Sequence, residues 1–278
     1  MNVSLRGLFD LHIHAAPDVI PRKCTDEEAA ERMIVAGMSG GFIKCHHADT
    51  AARASALRER FPGLELWGGI ALNRSVGGHD PEAVLRSARD GGRIVWFPTV
   101  DSKSFQLFKH RDDSSFDPSG LIAVNGEDGK LLPAVLDILD IAAEKGLIVG
   151  TGHLSPAEGM EIVREAGRRD CPVVLTHCDN PATRYSDEQE KEAAELGAFM
   201  EHCFYTSFYG QTPIEEIARQ IRTVGPEHVI LSSDFGQTTS PYFDEGLVRY
   251  MELLEGQGIS RAELEIMLRD NPAKLLGI

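Results

Sequence analysis

A repeating rhythm constrains this chain more than any single motif. From Leu8 onward, short β-branched or aliphatic runs alternate with helical stretches about eight times. The runs fall at 8–13, 41–45, 65–71, 93–99, 147–152, 172–176, 197–202 and 228–233. Helical patterns lie near 26–37, 50–60, 81–90, 131–145, 156–168, 187–195, 213–223 and 244–256. Strands separated by helices pair in parallel, because the connection must cross back over the sheet. Eight such units in 278 residues predict an α/β chain folded as a single (β/α)8 TIM barrel spanning 1–278. An open doubly wound sheet is disfavoured, since no Gly-x-Gly-x-x-Gly follows the first run and no Gly-Lys-Ser/Thr loop is present.

Helix punctuation supports the register. Thr25-x-x-Glu28, Ser155-x-x-Glu158, Ser186-x-x-Gln189, Thr212-x-x-Glu215 and Ser260-x-x-Glu263 fit capping boxes. Pro81, Pro156 and Pro213 suit first helical positions, and Gly37, Gly91, Gly146 and Gly225 suit helix ends. The rhythm breaks once, between Thr99 and Leu131, where a polar insertion of about 100–130 is expected to form a hairpin with its loop at Asn125–Gly129. Because it follows a strand, it should lie over the C-terminal mouth and cover whatever sits there.

A formal charge of −15 gives no basic face for phosphates, so nucleic acid is not expected as a partner. The apolar runs are too short for a bilayer, and residues 1–8 lack signal-peptide features. Five scattered cysteines without Cys-x-x-Cys suit reduced thiols, and together these features predict a cytoplasmic protein acting on a small molecule. A homodimer is compatible with the acidic exterior.

In a barrel every strand delivers its last residues to one mouth. The first run ends Asp10-Leu11-His12-Ile13-His14, whose alternation sends both histidines to one face and Leu11 and Ile13 to the other. Such a pair can chelate one divalent metal. The other runs end in Lys44-Cys45-His46, Thr151-Gly152-His153, Thr176-His177, Glu201-His202 and Ser232-Ser233-Asp234. Histidine is too polar to favour a core repeatedly, so this recurrence points to a metal site rather than packing. Asp10 shares the parity of His12 and His14 and is expected to support them or Lys44 from below. For Glu201 and His202 parity does not decide which faces inward. Cys45, Cys178 and Cys203 read as small buried apolar groups, and His79, His110 and His228 as surface residues.

The order His-x-His, His153, His177 and Asp234 resembles the amidohydrolase superfamily of metal-dependent hydrolases, over essentially the whole chain. With its first run starting at residue 8, the chain is nearer the compact members, the phosphotriesterase-like and aminocarboxymuconate-semialdehyde-decarboxylase-like groups among them. The resemblance implies a metal held by His12, His14, His153 and Asp234, with His177 a further ligand or a base that polarises the substrate. The chemistry of such a site makes Asp234, as proton shuttle, His177 and Lys44 the expected catalytic residues, with Lys44 and His46 able to bind an anionic substrate group. His46, Arg74 and Trp96 are the expected substrate-binding residues. Where binuclear members carry a bridging Lys or Glu after the fourth strand, this chain has Trp96-Phe97-Pro98-Thr99, so one metal is favoured over two. Nitrogen-rich ligation suits Zn²⁺, with Mn²⁺ or Fe²⁺ as alternatives. The expected activity is hydrolysis of an amide, lactone or related ester bond in a small molecule. A decarboxylase of the same superfamily and a non-catalytic, metal-stabilised barrel are the competing readings.

Overall fold

A computed structural model describes residues 3–278. Strands occupy all eight runs: β1 (Phe9–Ile13), β2 (Gly40–Ile43), β3 (Glu65–Trp67), β4 (Gly69–Ala71), β5 (Ile94–Trp96), β6 (Ile148–Gly150), β7 (Val173–Leu175), β8 (Phe199–Cys203) and β9 (Val229–Ser232). Every pairing is parallel, as intervening helices require. The third run differs from expectation, because it splits at Gly68 into β3 and β4. Pairing accordingly divides into two sheets, β1-β2-β3 and β4-β5-β6-β7-β8-β9, in place of one continuous ring.

The break has a local cause. Thr50 Oγ1 donates to the carbonyls of Ile43 (2.7 Å) and Gly69 (3.0 Å) and accepts from Gly69 N–H, taking up groups a neighbouring strand would otherwise pair. At the other margin β1 and β9 lie side by side. Asp234 N–H donates to His12 O at 2.9 Å and His14 N–H to Phe235 O at 2.8 Å, just past the ends of the ladder.

The helices are α1 (Asp26–Ala36), α2 (Ala51–Arg60), α3 (Pro81–Arg89), α4 (Lys103–Lys109), α5 (Pro133–Lys145), α6 (Pro156–Gly167), α7 (Asp187–Glu195), α8 (Phe204–Phe208), α9 (Ile214–Val224), α10 (Phe243–Gly256), α11 (Arg261–Glu265) and α12 (Asn271–Leu276). Four of the five capping boxes form, at Thr25, Ser155, Ser186 and Ser260. The fifth does not: α9 starts after Pro213, and Thr212 Oγ1 donates instead to Asp179 O at 2.7 Å. No helix among the described residues is long and apolar enough to cross a membrane.

Two apolar clusters result. The larger packs the helices on the outer faces of the strands, and Ile13 belongs to it. The smaller collects Phe9, Leu11, Phe42, Trp96 and Phe199 from the inner faces, with Leu275 and Leu276 of α12 packed against them. Leu11 and Ile13 therefore face opposite ways, contrary to strict alternation. The pairing register of β1 shifts between Asp10 and Ile13, and such an irregularity re-aims side chains at the strand end.

The insertion holds α4, which the sequence did not announce, and only an isolated antiparallel bridge, Asn125 with Leu131, where a hairpin was expected. Its helix is anchored over the strand ends: Ser102 Oγ donates to His153 O (2.9 Å) and Ser155 N–H to Ser104 Oγ (3.0 Å).

His79, expected at the surface, is instead part-buried against Phe97, with ring centroids 6.0 Å apart. Burial lowers its pKa to about 4 from an ordinary 6.5. The unfolded chain then binds a proton that the folded chain resists, so stability is lost as pH falls from 6.5 toward 4. The loss should approach roughly 3 kcal/mol. Urea unfolding of wild type and His79→Leu across this interval checks it. The variant should show a shallower pH slope, and identical slopes would contradict the assignment.

Candidate metal centre

β1 delivers His12 and His14 to the same point. Their Nε2 atoms lie 3.2 and 3.0 Å from one oxygen, Asp234 Oδ1. Asp234 follows β9 with φ of 54°, and His177 follows β7 with φ of 55°. Non-glycine residues in the left-handed region are uncommon, and here the backbone turn aims each side chain inward. His177 Nε2 stands 3.8 Å from Asp234 Oδ2. The rings of His12, His14, His46, His153 and His177 form a chain, successive neighbours being 4.8 to 5.6 Å apart between centroids.

The electrostatics fit ligation. Burial, reinforced by neighbouring cations, lowers the pKa of His12, His14, His46 and His153 well below the ordinary value, and that of His177 to about 3. All five rings are thus neutral at pH 7 and keep a lone pair available. Both ring nitrogens of His153 and Nδ1 of His177 are buried without a partner, a costly state unless something else engages them.

β8 orients His12 from behind. Glu201 Oε2 and Oε1 lie 3.2 and 3.3 Å from His12 Nδ1, and Ser232 Oγ donates to Glu201 Oε1 at 2.9 Å. A carboxylate at Nδ1 places the ring proton there and leaves the Nε2 lone pair facing Asp234. Cys203 Sγ is 3.7 Å from the same Nδ1. Two donor sets follow, His12–His14–Asp234 and, deeper, His12–His177–Glu201–Cys203, the atoms of each lying within 4.8 Å of one another. The first set, with His153 and His177 beside it, matches the preference of a borderline divalent ion for imidazole and carboxylate.

Lys44 is fully buried, with Nζ 3.1 Å from His12 Nε2 and 5.3 Å from the Trp96 ring centroid. Burial lowers its pKa, while Asp234, Glu201 and Cys203 hold it up. Asp10 is not its partner. Asp10 Oδ1 instead accepts from the backbone N–H of His12 (3.2 Å) and Ser233 (3.0 Å), tying β1 to the end of β9. Burial raises Asp10 to about 7.

Above this floor opens a cavity of about 540 Å³, within the range of small-ligand sites. Of the residues singled out in the sequence, His14, His46, His153, His177 and Asp234 line it. His46 is held by Thr99, with Nδ1 2.8 Å from Oγ1. Arg74 and Trp96 are not brought to it. Arg74 is exposed and bound to Asp101 through its backbone N–H (2.8 Å) and guanidinium (3.2 Å), and Trp96 lies in the inner apolar cluster below. Glu201 and Cys203 were not singled out as site residues, although they share the parity of Phe199, which faces inward. Phe105 from α4, Tyr205 from α8 and Gln237 from the loop after β9 also line the cavity, and no sequence signal pointed to them.

If Glu201 fixes the His12 ring, Glu201→Gln should lower zinc affinity by about 10- to 100-fold while the fold persists. Competition titration against a chromophoric chelator reads this directly, and unchanged affinity would contradict the role.

Comparisons with known proteins agree with this architecture. A candidate 2-pyrone-4,6-dicarboxylic acid hydrolase from Pseudomonas putida aligns over 99% of this chain and 98% of its own, with a TM-score of 0.63 at 18% identity. Enamidase, a member of the amidohydrolase superfamily, aligns over 99% of this chain and 68% of its own, with a TM-score of 0.62 at 17% identity. A TatD homologue from Escherichia coli gives 0.61 at 16% identity, covering 99% of both chains. Identities this low establish a shared fold. No curated protein matches the sequence. One family model does match, over residues 7–201, and by that match the chain belongs to the family of unknown function DUF6282.

Proposed function

We propose that the chain is a metal-dependent hydrolase on a closed (β/α)8 barrel of the amidohydrolase type, cleaving an amide, lactone or related ester bond in a small molecule. The observation that carries this reading is the convergence of two neutral imidazoles on one carboxylate oxygen, at 3.0 and 3.2 Å, beneath an open cavity. The fold shared with a candidate 2-pyrone-4,6-dicarboxylic acid hydrolase and with enamidase supports it.

His12, His14 and Asp234 would hold the ion, with His153 and His177 beside it, and one Zn²⁺ is favoured over Mn²⁺ or Fe²⁺. Such an ion supplies Lewis acidity, polarising a carbonyl and acidifying water. Asp234 is placed to accept a proton at its carboxylate and pass it to the leaving group. His177, neutral and buried against the cavity, orients the scissile carbonyl. Glu201 keeps the His12 proton on Nδ1. Lys44, directly below, contributes positive potential to the floor and helps stabilise developing negative charge.

A zinc-reconstituted screen over amides, lactones and esters tests the proposal. Turnover should vanish on dialysis against a chelator and return with Zn²⁺. Asp234→Asn should lower kcat by about 10²- to 10⁴-fold on any substrate found. Activity that survives complete metal removal would refute the metal-dependent reading. CO₂ release without water incorporation would replace hydrolysis with decarboxylation.

A further inference from the structure

One wall of the cavity is unlike the rest of the molecule. The chain carries a net charge of −15, yet α4 and the residues just after it present Lys109 and Arg111 to the cavity. Each cation is paired with an aromatic ring from the same wall: Lys109 Nζ is 5.6 Å from the Phe105 ring centroid and the Arg111 guanidinium 4.7 Å from that of Phe108. Phe105 in turn packs on the His153 ring at 4.6 Å, so the wall runs from an exposed cationic rim to the buried histidines. Asp234, on the floor, is the one carboxylate among the cavity's described walls. Arg111 Nη1 donates to Phe108 O at 3.0 Å, and its acidic neighbour Asp112 is 3.8 Å away and pointing into solvent, which leaves the remaining N–H groups of the guanidinium free to take another partner.

From this arrangement we infer that the substrate is a small oxyanion with an apolar or aromatic body. Its charged group, a carboxylate or a phosphoryl, pairs with Lys109 and Arg111 at the rim. Its body lies along Phe105 and Phe108, which delivers the bond to be cleaved to His177 and Asp234. The inference rests on the hydrolase reading for the cleaved bond, while the anion subsite stands on the wall alone. A planar guanidinium and an ammonium on one wall suit oxyanions of either kind. Because the rim is solvent-exposed, the attraction is screened by salt and selects among ligands more than it adds raw affinity. The insertion would thus do more than cover the mouth, since it would decide which small molecules enter.

Calorimetric titration of the zinc-loaded protein with benzoate, phenyl phosphate and the neutral benzamide tests this without requiring turnover. At least one anion should bind about tenfold tighter than benzamide, a difference of about 1.4 kcal/mol. Whichever anion leads identifies the group, carboxylate or phosphoryl. The preference should shrink with added salt and disappear in the exposed double variant Lys109→Met/Arg111→Met, and Lys109→Glu/Arg111→Glu should reverse it. Equal binding of anion and amide, or a preference that survives the double methionine variant, would overturn the inference. A preference that behaves as expected in a protein with no hydrolytic turnover would leave the anion subsite standing and sink the hydrolase reading alone.

Discussion

Asp234 meeting two histidines of β1 is the contact on which the rest of the site depends. That contact exists only because the first and last strands lie side by side. Asp234 N–H donates to His12 O, and His14 N–H to Phe235 O, so these three side chains hang from the backbone bonds that join the two ends of the strand array. Asp10 strengthens the same seam by accepting from Ser233 N–H. A carboxylate facing two buried, neutral imidazoles is electrostatically incomplete, and a divalent cation would complete it.

Behind this floor the supporting shell is fully buried. Ser232 holds Glu201, and Glu201 holds His12. On the outer side of β8, His202 faces Asp179, which also accepts from Thr206. Burial opposes charge on His202, yet Asp179 and Glu190 keep its pKa above the ordinary value. The loop after β7 that carries His177 is thereby tied to β8, with Thr183 Oγ1 donating to His177 O at 2.8 Å. Neighbouring positions of one strand, Glu201 and His202, thus serve opposite faces: one fixes His12 and the other fixes a loop.

Much of this was legible in the sequence because it follows from periodicity. The eight apolar runs became strands, and His12, His14, His153, His177 and Asp234 came together because parallel strands share one mouth. Strict alternation misled at β1, where a register shift sends Leu11 inward and Ile13 outward, a local event invisible to a period of two. The split at Gly68 depends on Thr50, eighteen residues away in the chain, so no local pattern announced it. Arg74 was read as a pocket residue from its place after a strand, but Asp101 lies close enough to claim it. Phe105 and Tyr205 reach the cavity from a loop insertion and a short helix, elements whose course is set by tertiary anchors such as Ser102 on His153.

The central claim is that His12, His14 and Asp234 form one metal site. Anomalous diffraction at the zinc edge, from crystals of the zinc-reconstituted protein, tests it most directly. The account predicts a single strong peak bonded to His12 Nε2, His14 Nε2 and an Asp234 carboxylate oxygen. No peak at that point, or one bound elsewhere with these three residues still engaged only with each other, would contradict it.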